Sequence, residues 1–280
     1  MKLATLRVGG STRAVRLDGD RLIDLGAADL GEFLAGGDWA ARAAAADTTR
    51  AYPAEGADFA PVVPRPSKIV CVGLNYKNHI QEMGRDLPRH PTLFAKFADS
   101  LIGAADEIAR PAETEEFDWE VELAAVIGAP VRRARGRAAE AAIAGFTVLN
   151  DITCRDWQFR TREWLQGKMW DSSTPVGPYV VTPDELPGGV RPRLEVALSV
   201  DGEVMQRDNT GDLLFDPVAL VEYVSTVVRL NPGDIIATGT PGGVGHARDP
   251  RRYLTGGERV VAEIQGVGRL ENTVAGERAS

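Results

Sequence analysis

Asp118-Trp119-Glu120-Val121-Glu122-Leu123 places three carboxylates at alternate positions. On a strand, successive side chains point to opposite faces, so Asp118, Glu120 and Glu122 share one face while Val121 and Leu123 point toward a core. The apolar AAVIG that follows sets the acidic end beside buried surroundings. Like charges on a half-buried face repel and lose hydration, and a cation relieves both costs. Oxygen donors without a nearby His or Cys suit Mg²⁺ or Mn²⁺, with Ca²⁺ as a substitute, better than zinc. Taken alone, Glu-x-Glu is also what a solvated strand face carries. Asn150-Asp151 closes the apolar run GFTVL. Asp151 can present one more carboxylate to the same cavity, or cap a helix ahead of Thr153 and Cys154.

The chain has three histidines. His79 stands three residues before Glu82, so one helical turn lets them face each other. A carboxylate beside an imidazole orients it and raises its basicity, as a general base requires. An ordinary surface pair has the same spacing. His90, in a proline-flanked loop, and His246, just after a run of glycines, have no carboxylate at an interpretable spacing and are read as structural. Thr238 to Gly245, TGTPGGVG, lacks the Lys-Ser/Thr ending of a P-loop. Its glycines let backbone amides approach an anion, and Thr238 or Thr240 can donate a hydroxyl hydrogen bond. A tight strand-to-strand loop fits the spacing equally well.

The elements that must position these groups are mostly strands. Residues 2–25 alternate and turn as short strands, and Leu30 to Ala46 reads as one or two short helices. Four prolines between Tyr52 and Pro66 mark a linker, which places a domain boundary there. KIVCVG reads as a buried strand, DWEVELAAVIG as one continuous strand, RAAEAAIAG as a helix and GFTVLND as a strand. RDWQFRTREWLQG reads as a further helix, and LEVALSVDGEVMQ as a hairpin about Asp-Gly. Asp216 and Pro217 open a helix as N-cap and first residue. IIATG and the C-terminal RVVAEIQGVGRLENTV add strands. Helices fall irregularly among these strands, which indicates α+β rather than a doubly wound sheet.

A 280-residue chain, 44% hydrophobic and 26% charged, has the composition of an ordinary globular protein with a sizeable core. A net charge of −8 without a basic run argues against a nucleic-acid partner. Two cysteines in apolar segments make neither a disulfide framework nor a zinc site. No apolar run spans a membrane and MKLATLRVGG does not read as a signal peptide, so the expected location is cytoplasmic.

Taken in order, VGLNYKNHIQEM (72–83), PTLFAKF (91–97), DWEVELAAVIG (118–128), LNDITCRDWQ (149–158), GKMWDSSTPVGP (167–178) and PGDIIATGTPGGVG (232–245) resemble the fumarylacetoacetate hydrolase family. The resemblance runs from Lys68 to the C-terminus, and includes acylpyruvase-like and 2-hydroxyhepta-2,4-diene-1,7-dioate isomerase-like members. It implies a mixed β-sandwich roll in homodimers, with a small, variable, β-rich N-terminal domain over 1–62 and the catalytic domain over 63–280. Glu120, Glu122 and Asp151 then match the family's metal ligands, for Mg²⁺ or Mn²⁺. His79 and Glu82 match its water-activating dyad, and Lys168 a lysine that stabilises negative charge. Arg155, Gln158 and Thr240 match positions beside the substrate's polar groups. Asp118 falls where the family is permissive and is not counted as a ligand. Ser172 stands where some members have threonine.

The activity implied first is hydrolysis of a C–C bond in a small acylpyruvate, a 2,4-dioxo acid, through a metal-bound enolate. Decarboxylation of oxaloacetate-like acids, or isomerisation of 2-hydroxy-dienoate and 2-oxo-enoate acids, would use the same site. A catalytically silent metal-binding module of the same fold is a third reading. The loop from Gly84 to Pro91 is expected to close over the substrate.

Overall fold

Every residue of Val121–Ile127 is buried, because both faces of that strand are covered. The computed structural model describes residues 1–82, 84 and 86–277, with His79 and Glu82 described by backbone alone. The chain begins with strands β1 (Lys2–Val8), β2 (Ser11–Asp18) and β3 (Arg21–Asp24). Two short helices, α1 (Leu30–Ala35) and α2 (Trp39–Ala44), and strand β4 (Ala51–Pro53) follow. Next come β5 (Ile69–Gly73), α3 (Lys77–Glu82) and β6 (Thr92–Lys96), then the short strands β7 (Leu101–Ile102), β8 (Ile108–Arg110) and β9 (Phe117–Asp118). β10 (Val121–Ile127), α4 (Arg137–Ala141), β11 (Ile143–Asn150), β12 (Thr153–Cys154) and α5 (Arg155–Gln158) form the middle of the chain. It ends with β13 (Thr174–Val181), the hairpin β14 (Glu195–Val200) and β15 (Glu203–Asn209), α6 (Pro217–Val227), β16 (Ile235–Ala237), β17 (Arg259–Ile264) and β18 (Gly268–Gly276).

The large sheet runs β4-β3-β2-β1-β13-β11-β10-β16-β5-β6, with β7 on β13, and a second sheet runs β15-β14-β17-β18-β8. The architecture is α+β, two mixed sheets and a two-stranded β9–β12 ribbon with few helices. Alternate residues of β10 serve two cores, as period-2 geometry requires. Val121, Leu123, Ala125 and Ile127 pack with Val196, Leu198, Ala262 and Leu270 of the second sheet. Ala124 and Val126 join Leu3, Leu30, Phe33 and Ile69 on the other side. A strand covered on both faces reads as continuously apolar, which is why AAVIG lacks alternation. β1 pairs with β13, so the first strands extend the same sheet as the carboxylate-bearing ones.

Three local expectations are corrected. DWEVELAAVIG is not one strand: β9 stops at Asp118 and β10 starts at Val121. The break follows from Asp118, whose carboxylate accepts its own neighbour's amide, Trp119 N–H at 2.8 Å, and those of Gly245 at 2.7 Å and His246 at 3.0 Å. RDWQFRTREWLQG is not one helix either. α5 ends at Gln158, and a separate 3₁₀ turn covers Trp164–Gly167. Trp164 is turned back onto the sheet, edge-on to Phe94 at 5.6 Å and so close to Gly73 that a Cβ there would lie 2.3 Å from its ring. RAAEAAIAG is helical only over α4, Arg137–Ala141, and its last three residues already belong to β11. Asp216 caps α6 by accepting Ala219 N–H at 2.9 Å, with Pro217 at its start. Among the described residues no helix is long and apolar enough to cross a membrane.

Candidate active site

The antiparallel pairing of β10 with β11 builds the site. Val121 stands opposite Asn150, so the next residues outward, Glu120 and Asp151, are neighbours, and Asp151 N–H donates to Glu120 O at 2.8 Å. Asn150 Oδ1 accepts Glu120 N–H at 2.9 Å and fixes the chain where it leaves β10. Glu122 follows on the face opposite Val121 and Leu123. One carboxylate oxygen from each of Glu120, Glu122 and Asp151 lies within 4.8 Å of the others, and all three residues are buried. The solvated-face reading of Glu120 and Glu122 is thereby excluded. The helix-cap reading of Asp151 fails as well, since α5 begins after Cys154 without a side-chain cap.

Cationic side chains converge on this cluster. Lys168 Nζ is 2.9 Å from Glu120 Oε2 and 2.7 Å from Asp151 Oδ2. Lys96, completely buried at the end of β6, holds the other Asp151 oxygen at 2.8 Å and donates to Ile152 O at 3.1 Å. Arg155 spans Asp118 through Nε at 2.8 Å and Glu120 through Nη1 at 2.7 Å, and Nη1 also donates to Gln158 Oε1 at 3.0 Å. Burial lowers the ammonium affinity of Lys168 for its proton, but Asp151 and Glu120 outweigh that and hold it above the usual lysine range. Asp151 is desolvated too, yet Lys168 and Lys96 keep it below the usual carboxylate range.

Glu122 is the exception. It has no ion-pair partner among the described residues and accepts one backbone N–H, from Gly239 at 2.7 Å. Burial first, then Asp151 and Glu120, push its carboxyl well above the ordinary range. The four carboxylates of Asp118, Glu120, Glu122 and Asp151 thus face three cations, Lys96, Arg155 and Lys168. A surplus of buried negative charge made of hard oxygen donors fits a divalent ion such as Mg²⁺ or Mn²⁺.

The glycine-rich loop cradles anions, but they are the protein's own carboxylates. Gly239 presents its N–H to Glu122 at φ +104, and a Cβ there would lie 2.9 Å from Asn75 Cβ and 3.0 Å from Val72 O. Gly245 and His246 present theirs to Asp118. The two threonine hydroxyls are committed to β10: Thr238 donates to Leu123 O at 2.8 Å and Thr240 to Val121 O at 2.9 Å. Thr240 also accepts from Gln206 at 2.8 Å. Asn75 ties the loop down from the other side, donating to Thr238 O at 2.7 Å and to Phe215 O at 2.9 Å.

A cavity of about 230 Å³ opens onto the cluster. Glu120, Glu122, Lys168, Arg155, Gln158 and Thr240 line its inner end. Arg155 lines this cavity, and its Nη2 is buried without a hydrogen-bond partner. The side chains of His79 and Glu82, expected as a dyad, lie outside the described residues; the backbone carries both on α3. The expected Gly84–Pro91 closing loop includes Arg85, also outside them. Ser172 is exposed and lies away from this cavity.

Two residues of the site went unrecognised in the sequence. Lys96 ends the strand TLFAK, whose other residues are exposed or only partly buried, so nothing local marked this lysine for burial. His246, read as structural, lines the cavity, and only the fold brings it there. His90, read likewise, stacks on Tyr223 at 6.2 Å.

Residues 68–275 match the model of the fumarylacetoacetate hydrolase C-terminal domain. The chain belongs to the fumarylacetoacetate hydrolase family. It is 41% identical over 247 residues to the mitochondrial oxaloacetate tautomerase Fahd2a of Rattus norvegicus, covering 87% of this chain and 78% of the relative. The corresponding FAHD2A protein of Homo sapiens is 42% identical over 236 residues, 84% of this chain and 74% of its own. In structure the family member resembles a putative HpcE protein from Mycobacterium smegmatis, with TM-score 0.90 and 32% identity over 99% of this chain and 100% of that one. It also resembles maleylpyruvate hydrolase from Sphingobium, in complex with manganese(II) and pyruvate, with TM-score 0.79 and 26% identity over 99% of this chain and 100% of that one. Its relatives in the family are enzymes named as tautomerase, isomerase and hydrolase.

Proposed function

We propose that this protein catalyses enol chemistry on small 2-oxo acids with a divalent cation held by Glu120, Glu122 and Asp151. Keto–enol tautomerisation is the first reading. The observation that carries the proposal is the buried carboxylate triad, undercompensated at Glu122, at the inner end of a cavity lined by a cationic donor without a partner. A hard divalent cation there supplies Lewis-acid polarisation and neutralises developing negative charge. The likeness to a hydrolase complexed with manganese(II) and pyruvate supports both the metal and the substrate class.

The chain's own groups divide the remaining work. Arg155 Nη2 and Gln158 receive the substrate carboxylate, with Asp118 and Glu120 holding the guanidinium plane. Lys168, charged and excluded from water, stabilises negative charge as it develops on the 2-oxo oxygen. Proton transfer at carbon 3 falls to His79, backed by Glu82. Relatives above 40% identity are named oxaloacetate tautomerases, and this favours proton transfer over the hydrolysis that the sequence motifs ranked first.

Acylpyruvate hydrolysis remains the second reading, since α3 carries His79 and Glu82 three residues apart and a hydrolase shares the fold. The test is to follow oxaloacetate enol decay, oxaloacetate decarboxylation and acetylpyruvate cleavage with Mg²⁺, Mn²⁺ or EDTA. Metal-dependent acceleration of enol decay is expected. Tight metal binding without turnover of any 2-oxo acid would leave a silent binding module instead.

A further inference from the structure

Outside the carboxylate cluster the described wall of the cavity is apolar, with Leu74, Phe94, Phe159 and Val244, apart from the Trp164 indole and the His246 ring. His246 is on this wall because its backbone N–H is pinned to Asp118 at 3.0 Å, the same carboxylate that holds Arg155. Its ring lies 5.3 Å from that of Phe159. Nδ1 is 2.9 Å from Tyr253 Oη, so Nε2 is the ring atom left open to a ligand.

We propose that His246 is a specificity-determining residue: its Nε2–H reads a hydrogen-bond acceptor at the far end of the substrate and selects dicarboxylic 2-oxo acids over those with an alkyl end. This rests on the 2-oxo acid reading above and names the substrate class for it. The protonation state follows from the surroundings. Burial, then Arg155 and Arg251, pull the imidazole below its usual range, outweighing Glu116 and Asp118, and so keep it neutral near pH 7. A neutral imidazole has one N–H, and its partner decides which nitrogen carries it. Tyr253 Oη faces Nδ1 at 2.9 Å, and when the phenol proton points at Nδ1 the ring proton sits on Nε2, the tautomer this proposal requires. An alkyl end leaves this partly buried donor without a partner, whereas a carboxylate satisfies it.

Oxaloacetate and 2-oxobutanoate differ only in a carboxylate against a methyl at that end. Deuterium exchange at carbon 3 is measured for both on the Mn²⁺- or Mg²⁺-loaded protein. His246→Phe should lower the oxaloacetate to 2-oxobutanoate ratio of kcat/KM about tenfold, chiefly through KM for oxaloacetate. His246→Gln, which keeps a donor, should restore the ratio to within about threefold. Only three histidines are present, so ¹⁵N NMR resolves the tautomer of His246 in the wild-type protein, whatever the variants' stability. An Nε2–H tautomer supports the proposal, and an Nδ1–H tautomer overturns it. Equal losses on both substrates, or an unchanged ratio, also overturn it while leaving the 2-oxo acid reading intact. If the wild type exchanges neither substrate, that reading falls and this inference with it.

Discussion

Glu122 and Lys168 are both buried beside the same cavity, yet removing their charges has opposite consequences. Among the described residues Glu122 has no ion-pair partner, so Glu122→Gln keeps the Gly239 hydrogen bond and removes a carboxylate that Asp151 and Glu120 repel. Without metal the variant should be as stable as wild type or more so. With Mn²⁺ at a hundred times the wild-type Kd, wild type gains about 2.7 kcal/mol and the variant should gain under about 1 kcal/mol. Thermal unfolding with and without Mn²⁺ measures both, and equal metal stabilisation of the two proteins would remove Glu122 from the ligand set. Lys168→Met instead leaves Glu120 with Arg155 and Asp151 with Lys96 as their remaining ion pairs. It should lower kcat on a 2-oxo acid by about 10²–10³ while Mn²⁺ still binds, as read by steady-state rates and by paramagnetic resonance titration. Among the described residues the Lys96 ammonium hydrogen-bonds to Asp151 and to the backbone of Ile152. Lys96→Met should cost about 3–5 kcal/mol of metal-free stability in urea, since it uncovers one side of a buried carboxylate.

Local sequence reads elements well where one face or one cap decides them, and poorly where a distant group decides. The period of Glu120-Val121-Glu122 gave the correct faces, because each face of β10 meets its own core. The break at Asp118 was not legible, since it depends on amides of Gly245 and His246 more than a hundred residues away. The interruption after Gln158 has the same character, set by Trp164 docking on β5 and β6. The carboxylate cluster was legible only once six ordered motifs were joined, because nothing local tells Glu120 that Asp151 lies across a strand pair. His246 was hidden for that reason too. At this scale the glycine loop gives a sharp prediction. Gly239→Ala puts a Cβ into Asn75 and Val72 at a φ that side chains avoid, so the loop must move. Strain of about 1–3 kcal/mol is expected in urea unfolding. Because the shift withdraws the amide from Glu122, Mn²⁺ affinity should also fall. Gly243, whose Cβ would also clash but which touches no metal-site carboxylate, is the control. If Gly243→Ala and Gly239→Ala weaken Mn²⁺ equally, the loop acts only as a fold element.

Across the whole molecule the question is whether the first 62 residues form a separate unit, as the proline-rich stretch after Tyr52 suggests. Their strands and helices are not packed apart. Leu3, Leu30, Phe33 and Leu34 share one core with Ile69, Cys71, Ala124 and Val126, and β1 completes the edge of β13. The even-numbered face of β10 that presents Glu122 is sealed, two residues further on at Ala124, by this shared core. Removing residues 1–62 would expose a buried sheet edge and an apolar face together, and neither survives well in water. We therefore expect urea unfolding to be one transition, with the same midpoint by far-ultraviolet circular dichroism and by tryptophan fluorescence. Phe33→Ala, over 80 residues from the carboxylate cluster in sequence, should cost about 3–5 kcal/mol and move both signals together. An independent N-terminal domain predicts the reverse: two transitions, with Phe33→Ala shifting only one. The outcome also bears on function, because a shared core makes the rigidity of the carboxylate cluster depend on packing contributed by the N-terminal helices.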